Sequence, residues 1–184
     1  MSFSIDSLTL DSDTKGILKI LLEDEVILRC LYYEPTSASD NIFNITPERP
    51  RITSKSLQER FNEFYIRSNG NEAYISNWVN LNSLTTQKHG YLFFYPDSIS
   101  LTKSIAPVVY NFDIFLPESW HKFNNCLYIV TKRCAEILKN SRGFGDVGKV
   151  NGLDANPIFT ENKEGYCGMR VVFANESFTE NRIN

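Results

Sequence analysis

The densest glycine spacing in the chain lies in Arg142-Gly143-Phe144-Gly145-Asp146-Val147-Gly148-Lys149-Val150. Gly143, Gly145 and Gly148 fit the G-x-G-x-x-G of a dinucleotide turn. Gly143-x4-Gly148-Lys149 fits a phosphate loop that lacks its final Ser or Thr. Both patterns work only where a strand delivers a nest of backbone N–H groups and a helix N-terminus faces the phosphate. Here the preceding segment reads as a helix, and Asn151-Gly152-Leu153-Asp154-Ala155-Asn156-Pro157 cannot be one. Val150 also lacks the hydroxyl that would hold magnesium. The expectation is a turn-forming loop, with no nucleotide and no other cofactor.

Acid–base and metal chemistry have little to draw on. The chain has two histidines, His89 and His121, and four cysteines, Cys30, Cys126, Cys134 and Cys167. None of them forms a pair at the i, i+3 or i+4 spacing of a helical metal site, and there is no Cys-x-x-Cys, so no metal is expected. A nucleophilic pairing of Cys126 or Cys134 with His121 needs the two to meet in space. The simpler expectation is a buried thiol and a surface imidazole. Asp97, Asp113 and Glu118 flank the central strands, as a carboxylate pair in a cleft requires, but 22 acidic residues offer many such trios. No catalytic residue is expected.

Composition narrows the classes further. With 42% apolar and 13% aromatic residues over 184 positions, a single domain over residues 1–184 has enough apolar surface for a core. The net charge of −3 is well mixed, without the basic stripe of a nucleic-acid binder, so no nucleic acid is expected. A basic partner is favoured slightly over an acidic one. No apolar run approaches the ~18 residues needed to cross a bilayer, so no membrane is expected. The start Met1-Ser2-Phe3-Ser4-Ile5-Asp6 lacks the basic and apolar pattern of a secretory signal. Four well-separated cysteines do not read as a disulfide framework. The expected compartment is the cytoplasm.

The elements read as an α+β domain, with a mostly antiparallel or mixed sheet and two or three helices. Ile17 to Leu22 and Val26 to Tyr33 read as two strands joined at Glu23-Asp24-Glu25, because the second run is β-branched and aromatic. Residues 34–55 hold Pro35, Pro47 and Pro50 among polar residues and predict a long, exposed, mobile loop. Ser56-Leu57-Gln58-Glu59 is a capping box, with Leu57, Phe61, Phe64 and Tyr65 at helical spacing behind it. Gly90 to Tyr95 reads as a strand with Tyr91, Phe93 and Tyr95 on one face. Val108 to Leu116 alternates, placing Val108, Tyr110, Phe112, Ile114 and Leu116 inward and Asn111 and Asp113 outward. Cys126 to Val130 reads as a strand, and Thr131 as the cap of a following helix. Ile158 to Thr160 and Met169 to Ala174 close the set before a polar tail, 175–184. The crowded aromatics of the middle third divide between core and interface.

The unit Leu127-Tyr128-Ile129-Val130-Thr131-Lys132-Arg133-Cys134-Ala135-Glu136-Ile137-Leu138, preceded by Trp120, resembles a segment of immunity proteins from bacterial polymorphic toxin systems. That resemblance implies a cytoplasmic, non-catalytic antitoxin that covers a toxin's active site. An accessory interaction protein of a phage or secretion system, or an enzyme of hydrolase type, is the alternative. Pro117 ends a well-patterned strand, and the turn expected after it nominates Glu118, Trp120 and His121, with Asp97 from a neighbouring strand end, as a partner-binding face.

Overall fold

The structure, a computed structural model, describes residues 12–66, 73–77, 89–99, 105–140, 150–158 and 165–178. The Gly143 to Lys149 motif lies outside them.

One mixed sheet organises the chain, in the order β1-β2-β3-β5-β4. Its strands are β1 (Ile75–Ser76), β2 (Tyr91–Ile99), β3 (Ile105–Pro117), β4 (Val150–Ile158) and β5 (Tyr166–Phe178). The short β1 runs parallel to β2, and the other pairings are antiparallel. Among the described residues five α-helices accompany it: α1 (Ser12–Glu23), α2 (Glu25–Tyr32), α3 (Leu57–Phe61), α4 (Glu118–Asn124) and α5 (Cys126–Asn140). The class is the expected α+β, with more helix than the sequence suggested. Asn175–Phe178 belong to β5 and pair with β3, so the polar tail does not start at 175.

Two segments expected as strands are helices, and the reason is local. Glu23-Asp24-Glu25 is a junction between helices: Asp24 caps α2, its side chain accepting from the Ile27 N–H at 3.0 Å. Glu25 then stands in the first turn, where the helix dipole favours an anion. Ile17, Leu18, Leu21 and Leu22, then Ile27, Leu28 and Leu31, form one buried stripe on each helix. Likewise α5 starts at Cys126, after Asn125 takes a left-handed φ of 50° to end α4. Cys126, Val130, Cys134 and Leu138 recur every four residues and are all buried. Thr131 does not cap; its hydroxyl donates to the Leu127 carbonyl one turn back, at 2.7 Å.

The capping box is present as read. Ser56 accepts from the Glu59 N–H at 3.2 Å, and Glu59 accepts from the Ser56 N–H at 2.7 Å. Beyond α3 the chain widens into one π-helical turn, Asn62–Ile66, which keeps Phe61 and Phe64 fully buried.

The main core fills the space between the helices and one sheet face, taking Leu92, Phe94, Tyr110, Phe112, Ile114 and Leu116 from β2 and β3. On the other face Tyr91, Phe93 and Phe115 form a second cluster, with Tyr95, Ile158 and Tyr166 packed against it. The outward side of β3 is thus not half-solvated as expected: Asn111 and Asp113 are buried too. Gly90 marks the close approach of sheet and helix. A Cβ there would lie 2.6 Å from the Leu116 side chain and 2.8 Å from the Leu31 backbone.

Candidate interaction site

The four residues nominated from sequence do not form one face. Residues 118–122 are the body of α4 rather than a turn, so helical periodicity sends Trp120 inward while Glu118 and Lys122 face solvent. Trp120 is 1% exposed within the main core, and its indole N–H has no hydrogen-bond partner. His121 is half-buried, with Nδ1 enclosed and unpartnered. Glu118 pairs with Lys122 at 2.7 Å, which lowers its carboxyl pKa. Asp97 is exposed at the far end of the sheet. It lies beside the register shift where β2 passes Tyr110 and Val109, whereas Glu118 follows the opposite end of β3. Eight strand residues separate the two positions, roughly 25 Å at the rise of an extended chain.

The groups that the sequence offers for chemistry are engaged in structure. Cys30 on α2 and Cys126 and Cys134 on α5 are buried. Contact with the Cys126 thiol, then burial, pushes Cys30 well up. Burial does the same to Cys134, and takes Cys167 to about 11. Asp113 is held by two hydrogen bonds from Arg170, at 2.6 and 2.8 Å, and by one from the Tyr95 hydroxyl at 2.8 Å. Among the described residues no group of three His, Cys, Asp or Glu side chains could hold a metal.

Burial, reinforced by its bond to the Asp113 carboxylate, pushes the Tyr95 phenol up to about 12. The folded chain therefore keeps this proton through a range where an unfolded tyrosine, with a pKa near 10, has lost it. Folding stability should fall as pH rises from about 10 to about 12. Comparing wild type with Tyr95→Phe by urea denaturation across that range checks this. The variant should lose less stability with rising pH; equal slopes would show that Tyr95 does not titrate this way.

Residues 34–55 are the site that sequence reasoning undervalued. The segment is exposed as expected, and its main chain is hydrogen-bonded to side chains of Arg29, Arg49 and Asn124. Arg29, 1% exposed, reaches out of α2 beneath it. Its Nε donates to the Ile42 carbonyl at 2.7 Å. Nη2 donates to the carbonyls of Asn44 at 2.7 Å and Arg49 at 3.3 Å. Nη1 donates to Pro50 at 3.0 Å and to the Glu25 carboxylate at 3.2 Å. The Tyr33 ring covers the guanidinium at 4.7 Å, and the Tyr33 hydroxyl donates to the Pro50 carbonyl.

Glu25 also accepts from the Ile52 and Thr53 N–H groups, at 3.0 and 2.7 Å. Burial pushes its carboxyl up, but these donors together with Arg29 outweigh that and hold it below its ordinary value. A second clamp sits nearer solvent. Arg49 grips Asp40 with two bonds, at 2.6 and 2.7 Å, and donates to the Glu34 carbonyl. Asn124 of α4 donates to the Asp40 carbonyl at 2.6 Å. Ile42 is the buried apolar pin, whereas Ile45 projects with 58% of its surface exposed.

The clamped loop frames two hollows. One, of about 290 Å³, is lined by Asp40, Asn41, Asn44, Thr46, Glu48 and Arg49. The other, of about 230 Å³, lies toward α2 and α3, between Tyr32, Arg51, Lys55 and Phe64, and shares Glu48 with the first. Both are small for a drug-sized ligand and suit single side chains of a larger partner. The sheet edge is a poorer docking place. Along β4 the ladder shifts register between Asn151 and Leu153, Pro157 has no N–H to offer, and the Asp154 side chain occupies the Ala155 N–H at 2.9 Å.

Fold and loop together define an α+β protein with one mixed sheet and a long, arginine-clamped surface loop. The YomW family model matches residues 24–175, from the cap of α2 into β5 and through the whole loop. The chain belongs to the YomW family. No curated protein and no solved structure matches it. No helix among the described residues is long and apolar enough to cross a membrane.

Proposed function

We propose that this chain is a non-catalytic protein-binding module that presents the Arg29-clamped loop to a protein partner. The observation that carries this reading is the investment of a buried arginine in a surface loop. Ordering the 19 residues from Tyr33 to Arg51, between α2 and a 3₁₀ turn at Ile52–Ser54, costs conformational entropy, and connections beyond about 12–15 residues without regular structure are uncommon unless they function. A loop already fixed in shape spares a partner that ordering cost at binding. Its Asn-, Ser- and Thr-rich surface with exposed Ile45 and Tyr32 has the polar, aromatic-edged character of adaptable recognition surfaces.

Neutralisation of a toxin domain by covering its active site is the narrower form of this reading. Small size, mild acidity and a preformed face support it. The likeness over Leu127 to Leu138 adds little, because that segment is one continuous helix instead of a strand leading into a helix.

The test is paired affinity capture with wild type and Ile45→Asp, followed by binding measurements with the purified captured protein. Loss of the exposed apolar anchor should weaken binding about tenfold or more and leave the melting temperature unchanged. A partner held equally by both proteins would sink the reading. If the partner arrests growth when expressed alone and this chain relieves the arrest, the toxin-neutralising form stands; relief that survives Ile45→Asp would count against the loop.

A further inference from the structure

Helices α2 and α5 carry three of the four cysteines, Cys30 on α2 and Cys126 and Cys134 on α5, and all three are fully buried. Two contacts fix how these helices pass each other. At the start of α2 the Asp24 cap accepts from Arg133 Nε at 2.7 Å. Near its end the thiols of Cys30 and Cys126 meet in a hydrogen bond. Cys30 follows Asp24 along α2 by roughly 9 Å, and Cys126 precedes Arg133 along α5 by roughly 10 Å, at the rise of an α-helix. The helices therefore run antiparallel, in a register that the ion pair holds at one end and that brings the two sulfurs together at the other.

The two thiols are not equivalent. Cys126 opens α5, directly after Asn125 has turned the chain out of α4 with a left-handed φ of 50°. The dipole of the helix that starts there favours an anion at its first residue. The Cys30 thiol donates to Cys126 and lowers its pKa, while the same contact, then burial, holds Cys30 above its ordinary value. Cys134, eight residues further along α5, is pushed up by burial. Cys167 is the most accessible of the four, but its thiol donates to the Leu116 carbonyl at 3.5 Å, and burial raises it to about 11. A nucleophilic thiol with a second thiol against it, ready to resolve the oxidised product, is the arrangement that reversible thiol oxidation requires.

We propose that Cys30 and Cys126 form a redox modification site, closed to a disulfide by hydrogen peroxide and reopened by a thiol reductant. The proposal stands apart from the protein-binding reading above. In the first step the Cys126 thiolate attacks one peroxide oxygen and the O–O bond breaks. The sulfur becomes a sulfenic acid, and the departing hydroxide takes up the proton that Cys126 had released. The Cys30 sulfur then attacks the Cys126 sulfur, the S–O bond breaks, and hydroxide leaves with the Cys30 proton as water. Two thiols and one peroxide thus give one disulfide and two waters. Peroxide is small enough to enter by a local opening at the joint of α4 and α5, where Asn125 is exposed beside the buried Cys126. The bond ties α5 to the residue that follows Arg29, the root of the loop clamp.

The test is a thiol map of the whole chain. The reduced protein is treated with a small excess of hydrogen peroxide, catalase removes the remainder, and free thiols are blocked with N-ethylmaleimide in denaturant. Peptides are then mapped without reduction. The expected product is a monomer lighter by two hydrogen atoms, with a Cys30–Cys126 cross-linked peptide and maleimide on Cys134 and Cys167. Dithiothreitol should restore all four thiols. Cys30→Ala removes the resolving thiol, so Cys126 should stop at the sulfenic acid and be trapped by dimedone. If that variant does not fold, the wild-type map decides. Oxidation that begins at Cys167 while Cys30 and Cys126 both take maleimide overturns the proposal. So does a cross-link between any other pair, or full maleimide labelling after a peroxide dose that oxidises free cysteine.

Discussion

Arg29→Met lowers the stability of the chain by about 3 kcal/mol or more and opens residues 34–55 to proteases that leave the wild-type loop intact. Methionine keeps the length and much of the apolar volume of the stem, so the change isolates the guanidinium. Four carbonyls, on Ile42, Asn44, Arg49 and Pro50, then lose a charged donor, and Glu25 loses the cation that helps hold its charge. Hydrogen bonds to a charged group contribute roughly 1.5–3 kcal/mol each before compensation, and water can reach part of this loop, which sets the total well below their sum. Arg29→Lys should fall between the two, because an ammonium keeps the charge but cannot span acceptors on both sides of the guanidinium plane. The checks are urea denaturation and limited proteolysis with mass mapping. A variant as stable as wild type, with unchanged cleavage sites, would mean that the loop holds itself without the clamp.

Trp120→Ala costs about 3–5 kcal/mol, the range for removing a large aromatic side chain from a packed interior. For a chain of 184 residues that corresponds to a melting temperature lower by roughly 10 °C. Trp120→Phe should cost distinctly less. Because the indole N–H has no partner, phenylalanine gives up ring volume but no hydrogen bond. A similar loss in both variants would point to an unseen partner for Nε1, and no loss in either would restore the exposed tryptophan that the sequence suggested. Calorimetry on the three proteins separates these outcomes.

How far the sequence could be read depended on whether the governing contact is local. The Ser56 to Glu59 capping box is a reciprocal bond between residues three apart, and it was legible. So was the centre of β3, where alternation encodes a face directly, and the centres of β2 and β5 were legible as strands from their aromatic and β-branched residues. The first turn of α5 was not legible as helix: Ile129 and Val130 favour strands locally, while the buried spacing of Cys126, Val130, Cys134 and Leu138 becomes decisive only with α2 and the sheet in place. Glu23-Asp24-Glu25 reads from sequence as the joint of two strands, whereas Asp24 is the cap of a second helix, and an acidic tripeptide suits either junction.

The loop escaped for a further reason. Arg29 bonds to main-chain carbonyls 13 to 21 residues away, and a carbonyl carries no residue identity that a sequence pattern could reveal. The outline of the site was legible as a long polar, proline-bearing segment; the arginine clamp beneath it was not. The Glu118 to His121 face failed by the same logic as α5. A tryptophan between polar neighbours looks exposed in an assumed turn, and one helical turn rotates it into the core.

The central claim is that a preformed loop is the surface by which this chain holds its partner. Hydrogen–deuterium exchange on the chain, alone and with the captured partner, tests it most directly. The account predicts added protection concentrated in the backbone of residues 36–51, with the exposed side of α4 and α5 around Phe123 and Tyr128 unchanged. Protection that falls on α4 and α5 and leaves the loop at its free rate would contradict it.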